Sequence, residues 1–307
     1  MGQTSNAGPG RPPDLGRCGH VALAGRPNVG KSTLMNHLLG RKLSITSRKP
    51  QTTRHALVGV LTKDSAQLVF VDTPGVHVAE GRALNRYMVR QALASLAEVD
   101  VVLFIIDAQG WRGGDEIVLR RIEESRTPCI CVINKIDRLA RKERLLPLID
   151  KLRKLFAFEA IVPVSALRNI GLDELTEVIV DRLPESPHLF PEDAVTDRPL
   201  EFLVAETVRE KATRRLGAEL PHQTAVVVER LVAGDGCTEI DAVLYVERET
   251  QKGIAVGKGG SMLKSIGEDA RKDIELLIGG KAMIRLWVKV DRRWSDRADA
   301  LQRFGYR

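Results

Sequence analysis

Over the first 183 positions, two rhythms of apolar and polar residues alternate. Short, largely apolar runs at 20–24, 66–71, 101–106, 128–133 and 159–164 have the length of strands. Between them, apolar positions at helical spacing predict helices at 33–40, 83–96, 114–125, 139–156 and 171–183. A further strand is predicted at 55–61. The run from Val101 to Ile106 has no polar position, as a strand buried on both faces requires. Strand and helix in alternation predict a mainly parallel sheet with right-handed crossovers, covered by helices on both sides.

The rhythm breaks where residues 183–199 hold four prolines, which neither a helix interior nor a central strand accepts. After it the pattern differs. Apolar residues at 200, 203, 204, 208 and 212 predict a helix over 200–215. Strands at 223–232 and 238–247 flank Gly234-Asp235-Gly236, a hairpin turn. A second helix starts near Ser261, with Met262, Leu263, Ile266, Ala270, Ile274, Leu277 and Ile278 on one stripe. The last strand, 281–290, puts Ala282, Ile284, Leu286, Val288 and Val290 on one face and Met283, Arg285, Trp287 and Lys289 on the other. The chain thus divides into an extension at 1–17, an α/β domain at 18–183, a Pro-rich linker at 184–198 and an α+β domain at 199–307.

Composition adds little to fold but constrains partners. The 307 residues carry a net charge of +7, with a pI near 9.3, which suits a polyanionic partner or an acidic membrane surface. No apolar run is long enough to cross a bilayer. Cysteines at 18, 129, 131 and 237 have no metal-ligand spacing, and Cys129 and Cys131 alternate within an apolar strand, which fits core thiols in a reducing cytoplasm. Residues 1–17 contain four glycines and three prolines and too little apolar surface to order themselves. They match neither a signal peptide nor a myristoylation signal.

Chemistry enters at Gly25-Arg26-Pro27-Asn28-Val29-Gly30-Lys31-Ser32, which reads G-x-x-x-x-G-K-S between a strand and a helix. That context makes a phosphate-binding loop. The backbone N–H groups of residues 28–33, from Asn28 through Val29, Gly30, Lys31 and Ser32 to Thr33, point into one hollow, and the helix start adds partial positive charge. Lys31 reaches the outer phosphates and the Ser32 hydroxyl faces Mg²⁺. The strand 68–71 runs into Asp72-Thr73-Pro74-Gly75, placing a carboxylate at a strand end for the metal and a glycine N–H for a terminal phosphate. A polar loop at 43–54 offers Thr53 or Thr52 as a second Mg²⁺-ligating hydroxyl.

Asn134-Lys135-Ile136-Asp137 ends the strand at 128–133. An aspartate here accepts hydrogen bonds from N1–H and the 2-amino group of guanine, and adenine has neither donor in that place. Lys135 lays its stem along the purine, and Asn134 contacts the base edge and ties loops together. Ser165-Ala166-Leu167 follows the next strand, where the Ala166 N–H is offered to the guanine oxygen.

These motifs, in this order, resemble the small Ras-like GTPase superfamily over residues 18–183. The resemblance implies GTP or GDP as ligand, with Lys31, Thr53, Asp72 and Gly75 in the hydrolytic machinery and Ser32, Thr53 and Asp72 at Mg²⁺. Val76 stands where many relatives carry a water-orienting glutamine. Valine has no hydrogen-bonding side chain, so slow intrinsic turnover is expected. Asn28 is offered to a potassium ion near the phosphates, as in relatives with the same loop wording.

The second domain resembles a type II KH domain. Gly257-Lys258-Gly259-Gly260 matches the G-x-x-G loop that clamps a single-stranded nucleic-acid backbone. Arg285, Trp287 and Lys289, with Arg292, Arg293 and Trp294, interleave cations with aromatic rings as base-stacking surfaces do. A GTPase domain followed by a single KH domain resembles the Era family of ribosome-assembly GTPases. That resemblance implies RNA rather than DNA as partner: the 16S ribosomal RNA near its 3′ end, in the maturing 30S subunit. It also implies peripheral contact with the inner membrane. The alternatives are an assembly factor that holds GTP as a structural ligand, and a GTPase of RNA modification.

Overall fold

The computed structural model describes residues 16–46, 53–72, 83–88, 98–217 and 223–306, and every count below refers to them. The readings made for residues 1–15, Thr52, Gly75 and Val76 lie outside the described residues.

The front of the chain builds a six-stranded sheet in the order β2-β3-β1-β4-β5-β6. The strands are β1 (Arg17–Ala24), β2 (Leu57–Lys63), β3 (Ala66–Asp72), β4 (Val101–Asp107), β5 (Cys129–Asn134) and β6 (Ala160–Pro163). All neighbours pair in parallel except β2, which runs antiparallel to β3 at the edge. The helices are α1 (Lys31–Leu38), α2 (residues 83–88), α3 (Gly113–Ser125), α4 (Leu145–Leu155) and α5 (Leu172–Val180).

β4 shows why the sheet needs two helical layers. Val101, Leu103 and Ile105 face a core with Leu34 and Met35 of α1 and Leu175 and Ile179 of α5. Val102, Phe104 and Ile106 face the opposite core, with Val118 and Ile122 of α3 and Leu152 of α4. All six are fully buried. Cys129 and Cys131 are buried free thiols in β5, and burial pushes both thiols well up from the usual range.

The back of the chain builds a three-stranded sheet, β7 (Ala225–Gly234), β8 (Cys237–Val246) and β9 (Lys281–Val290). β7 and β8 are antiparallel, and β8 and β9 are parallel. One face is covered by α6 (Leu200–Arg215), α7 (Glu249–Val256) and α8 (Ser261–Ile278), through Val204, Val208, Ile266, Ala270 and Ile274. A short α9 (Ala298–Arg303) ends the chain.

The Pro-rich segment runs along the edge of the first sheet. Gln67, fully buried, accepts the N–H groups of Leu189 and Phe190 at 2.8 and 2.9 Å and donates to the Phe190 carbonyl at 2.9 Å. The Val60 N–H donates to Val195 at 2.8 Å, and the Thr196 hydroxyl to Val58 at 2.6 Å. An edge strand that would otherwise expose its backbone is thereby covered.

Several expected spans shift by a few residues, and two of the shifts have a visible cause. β2 begins at Leu57, two residues later than its hydrophobic pattern suggests, because Arg54 and His55 are drawn into buried contacts with the second domain. The helix expected at 139–156 is one short 3₁₀ turn, Lys142–Arg144, followed by α4, with Pro147 in its first turn, where no intrahelical N–H is needed. Of the helix expected at 83–96, residues 83–88 are described and are helical.

Candidate nucleotide and nucleic-acid sites

The loop between β1 and α1 turns at the C-terminal edge of the sheet. Asn28 and Gly30 take positive φ values of 62° and 106°. A Cβ on Gly30 would stand 2.4 Å from Asn134 Nδ2, so the loop can lie against the base-reading strand end only with glycine there. Gly25 and Val29 are buried, and Thr33 is half-buried in the first turn of α1. Lys31 folds over the loop and donates to the Gly25 carbonyl at 3.0 Å. Burial pulls its ammonium below the usual lysine range, and the Asp72 charge only partly opposes this.

Three oxygens expected to meet at a metal do meet. Ser32 Oγ donates to Asp72 Oδ2 at 2.8 Å, lies 3.1 Å from Thr53 Oγ1, and Thr53 Oγ1 is 3.4 Å from the same carboxylate oxygen. Ser44 Oγ, not singled out in the sequence, donates to it at 2.7 Å. Asp72 is fully buried, and its second oxygen, Oδ1, has no partner. Burial pushes this carboxyl up, and Lys31 with the three hydroxyls offsets it only in part. A buried carboxylate short of one partner, ringed by hydroxyl oxygens, is the donor set a hard divalent cation takes.

At the N-K-x-D end of β5, Asn134 is a cross-brace. Its Nδ2 donates to the Val29 carbonyl at 2.9 Å, and its Oδ1 accepts the Lys135 and Ala166 N–H groups at 2.7 and 3.0 Å. The sequence reading gave the Ala166 donor to guanine; the structure gives it to Asn134 Oδ1, so this asparagine pins the S-A-L loop to the phosphate loop. Lys135 spans the hollow to the Asn28 carbonyl and to Asp107 Oδ2, the latter at 2.8 Å. Burial pushes the Asp107 carboxyl up, but Lys135 and a hydrogen bond from Gln109 together outweigh it and hold the group below its usual range. The exposed Asp137 accepts the Ser165 hydroxyl at 2.5 Å, which fixes its carboxylate at the rim. Leu167 is exposed beside it.

In the second domain, Gly257, Gly259 and Gly260 have φ values of 73°, 59° and 81°, and Lys258 is exposed. A Cβ on Gly257 would meet Met262 Cβ at 2.7 Å. This loop forms one end of a groove of about 480 Å³ between α8 and β9, lined by Leu263, Lys264, Gly267, Arg271 and Ile284. Lys264 and Arg271 were missed in the sequence, although positions 260, 264, 267 and 271 share one helical face.

Arg285, Trp287 and Lys289 are not brought to that groove. They project from the other face of the sheet, since their neighbours Ile284, Leu286 and Val288 pack on the helices. Arg285 is paired with Asp241 at 2.6 Å and Lys289 with Glu229 at 2.8 Å, while Trp287 is 45% exposed. Trp294 is a correction to the stacking surface: it is fully buried and its Nε1–H donates to the Gln223 carbonyl at 3.0 Å.

Two family models match the chain, a GTPase family described as 50S ribosome-binding over residues 20–135, and a KH domain over residues 219–295. GTPase Era of Marinobacter nauticus is 50% identical over 289 residues, covering 94% of this chain and 95% of that protein. The chain belongs to the Era family of GTPases. GTPase Era of Pseudomonas aeruginosa is likewise 50% identical over 290 residues. Two solved Era structures superpose with a TM-score of 0.91 at 44% identity, covering 94% of this chain and 99% of each. One is Aquifex aeolicus Era carrying a point substitution, bound to GDP·AlF4−; the other is Era with MgGDPNP and nucleotides 1506–1542 of 16S ribosomal RNA. Like its relatives, this Era-family chain is a GTPase with a P-loop domain and a KH domain.

The sites of this Era-family member are joined by contacts that no motif announced. Arg54, next to Thr53, is 1% exposed and donates to the Thr224 carbonyl at 2.6 Å and to the Tyr306 hydroxyl at 3.3 Å. His55 stacks on Tyr306 with ring centroids 4.3 Å apart. Leu84 and Met88 of α2 share a core with Trp294, Phe304 and Tyr306. In the charged end of α6, Arg209, Glu210 and Lys211 are buried, while Arg214 and Arg215 are exposed. Arg209 pairs with Glu206 at 2.6 Å, and the fully buried Glu210 pairs with Arg214 and Lys42. Burial alone would raise the Glu206 carboxyl, but the Arg209 guanidinium holds it below its usual range.

Proposed function

We propose that the nucleotide state of this GTPase sets the RNA grip of its KH domain, and that the RNA is the 3′ end of 16S ribosomal RNA in an assembling 30S subunit. One observation carries the coupling. Thr53 stands beside Ser32 and Asp72, while Arg54, the next residue, is embedded in the second domain. A shift of Thr53 cannot leave the Arg54–Thr224 contact untouched.

In this reading Ser32, Thr53 and Asp72 hold Mg²⁺, which neutralises charge building on the phosphates. Lys31 binds the outer phosphates, and the backbone of Gly25 and residues 28–33 cradles them. Gly75 approaches the terminal phosphate. Asp137 reads guanine, with Asn134, Lys135, Ser165, Ala166 and Leu167 shaping the purine slot. Gly257, Lys258, Gly259 and Gly260 clamp the RNA backbone in the α8–β9 groove, and Lys264 and Arg271 add charge along it. The identity of the RNA is supported by the 16S fragment bound to the related Era structure.

Two lesser elements belong to the same reading. Asn28, exposed and left-handed, is the potassium-binding residue; equal hydrolysis in sodium and potassium buffers removes it. Peripheral contact with the inner membrane has the net charge of +7 as its support, and co-sedimentation with anionic vesicles tests it. Among the described residues no helix is long and apolar enough to cross a membrane.

Single-turnover GTP hydrolysis with and without a 16S 3′-end RNA tests the main proposal. A rate or nucleotide affinity that responds to RNA is expected, because coupling between two sites is reciprocal. Identical values in both would overturn it.

A further inference from the structure

Where the excess positive charge sits is informative. On the second domain most cations are matched: Arg285 with Asp241, Lys289 with Glu229, and Arg297 and Arg303 with Asp291. On the GTPase domain one segment differs. Residues 138–154 hold seven Lys or Arg against one Asp and one Glu, a net of +5. Among the described residues, Arg138, Arg144 and Lys151 have no carboxylate within ion-pair distance.

These three cations converge on a groove of about 680 Å³ between the loop after β4 and the start of α4. Trp111 forms one wall. Its ring packs edge-on against Phe104, with centroids 6.0 Å apart, and is half-buried. Lys151 Nζ stands 5.7 Å from the ring centroid, so the indole turns a face, not an edge, toward the ammonium. The groove shares no residue with the α8–β9 groove or with the phosphate loop.

We propose that this groove is a second seat for RNA, with phosphates against Arg138, Arg144 and Lys151 and a base or ribose along Trp111. Unpaired cations beside an aromatic face are the combination that holds a nucleic-acid strand without reading its sequence. The concavity favours a strand over a membrane, because a flat plane of headgroups cannot reach the floor of a groove. The inference rests on the reading that RNA is the partner of this chain.

The test uses the full chain and two RNAs. One is about six nucleotides long, enough for a KH groove that clamps about four; the other is about forty, long enough to reach a second seat. The variant carries Arg138→Glu, Arg144→Glu and Lys151→Glu together. The short RNA should bind it as it binds the natural chain. The long RNA should bind about tenfold or more weakly, with a plot of log affinity against log salt shallower by about two, since each single-strand phosphate contact contributes about 0.7. Long-RNA affinity and salt slope equal to the natural chain's would overturn the proposal. So would loss of anionic-vesicle binding with long-RNA affinity intact, which would make the groove lipid-facing. If the natural chain bound neither RNA, the RNA reading itself would fall, and this one with it. GDP affinity and unfolding temperature report whether the variant folds. Photo-crosslinking of the long RNA to the natural chain needs no variant: crosslinks within 108–111 and 138–151 are expected, and their absence would overturn the proposal.

Discussion

Glu210 accepts hydrogen bonds from both the backbone N–H and the hydroxyl of Thr46, at 3.0 and 3.2 Å. The glutamate belongs to α6 of the KH domain, and the threonine to the GTPase domain, seven residues before Thr53. Arg214 closes the clasp by donating to the Thr46 carbonyl at 3.0 Å. Lys42 reaches Glu210 and also Asp273 on α8, the helix that lines the α8–β9 groove. Glu210 therefore stands between the loop that leads to Thr53 and the helix that lines the α8–β9 groove.

Replacing Glu210 with alanine removes the shared acceptor and leaves cations facing each other. A buried ion pair broken on one side typically costs 3–5 kcal/mol; Lys42 and Arg214 stay partly exposed, so about 2 kcal/mol is expected here. Denaturant unfolding measures it. A double-mutant cycle with Thr46→Val should return a coupling of about 1 kcal/mol. Additive effects would mean that the clasp is geometry without energy.

His55 gives the interface a pH dependence of known sign. Its ring is buried against Tyr306 and Phe202, and burial lowers its pKa to about 4, from an unfolded value of 6.5, with Arg209, Arg54 and Arg198 adding to the shift and Glu206 opposing it. Between these values the unfolded chain binds the proton and the folded chain does not. Stability therefore falls as pH drops from about 6.5 toward 4, by about 3 kcal/mol at most, at 1.36 kcal/mol per unit. His55→Phe should flatten that part of the profile relative to the natural chain. Parallel profiles would place the titration elsewhere.

The phosphate loop and the succession of strands and helices along the chain could be read from the sequence, because both are local; the spatial order β2-β3-β1-β4-β5-β6 could not, because it depends on crossovers. A six-residue, β-branched apolar run bounded by polar residues favours a buried strand, and G-x-x-x-x-G-K-S shapes its own loop. The interface could not be read this way. Arg209, Glu210 and Lys211 form a charged run that belongs on a solvated face until partners arrive from far along the chain, such as Lys42 for Glu210, 168 positions away. Trp294 looked like a stacking ring because cations flank it; its burial depends on Gln223, Phe304 and Tyr306, which no spacing links to it. Charged and aromatic side chains are ambiguous until their surroundings are known.

Asp137→Asn should exchange guanine selectivity for xanthine selectivity, since the amide presents a donor where the carboxylate accepted. GTP affinity should fall by about a hundredfold or more, with XTP gaining over GTP. Competition binding with labelled nucleotides measures both. Asp137 already accepts from Ser165, so its position should survive the change. Unaltered preference for GTP would remove Asp137 from base recognition.

Gly260→Asp puts a side chain and a negative charge on a backbone at φ 81° that faces the groove. The added Cβ meets no atom within 4 Å, so strain and charge rather than collision oppose it. RNA affinity should drop about tenfold or more while GTP affinity stays within about twofold. Filter binding and nucleotide titration separate the two. RNA affinity that is unmoved would reduce the G-x-x-G loop to a turn.

The central claim is that the third phosphate, sensed at Thr53, governs the RNA groove through Arg54 and Glu210. The direct measurement is the affinity of the full chain for the 16S 3′-end RNA with Mg²⁺ and a non-hydrolysable GTP analogue, and again with GDP. The account predicts at least about a fivefold difference between the two states, the lower end of ordinary coupling, and a smaller difference in the Glu210→Ala chain. Equal affinities in the two nucleotide states would contradict it.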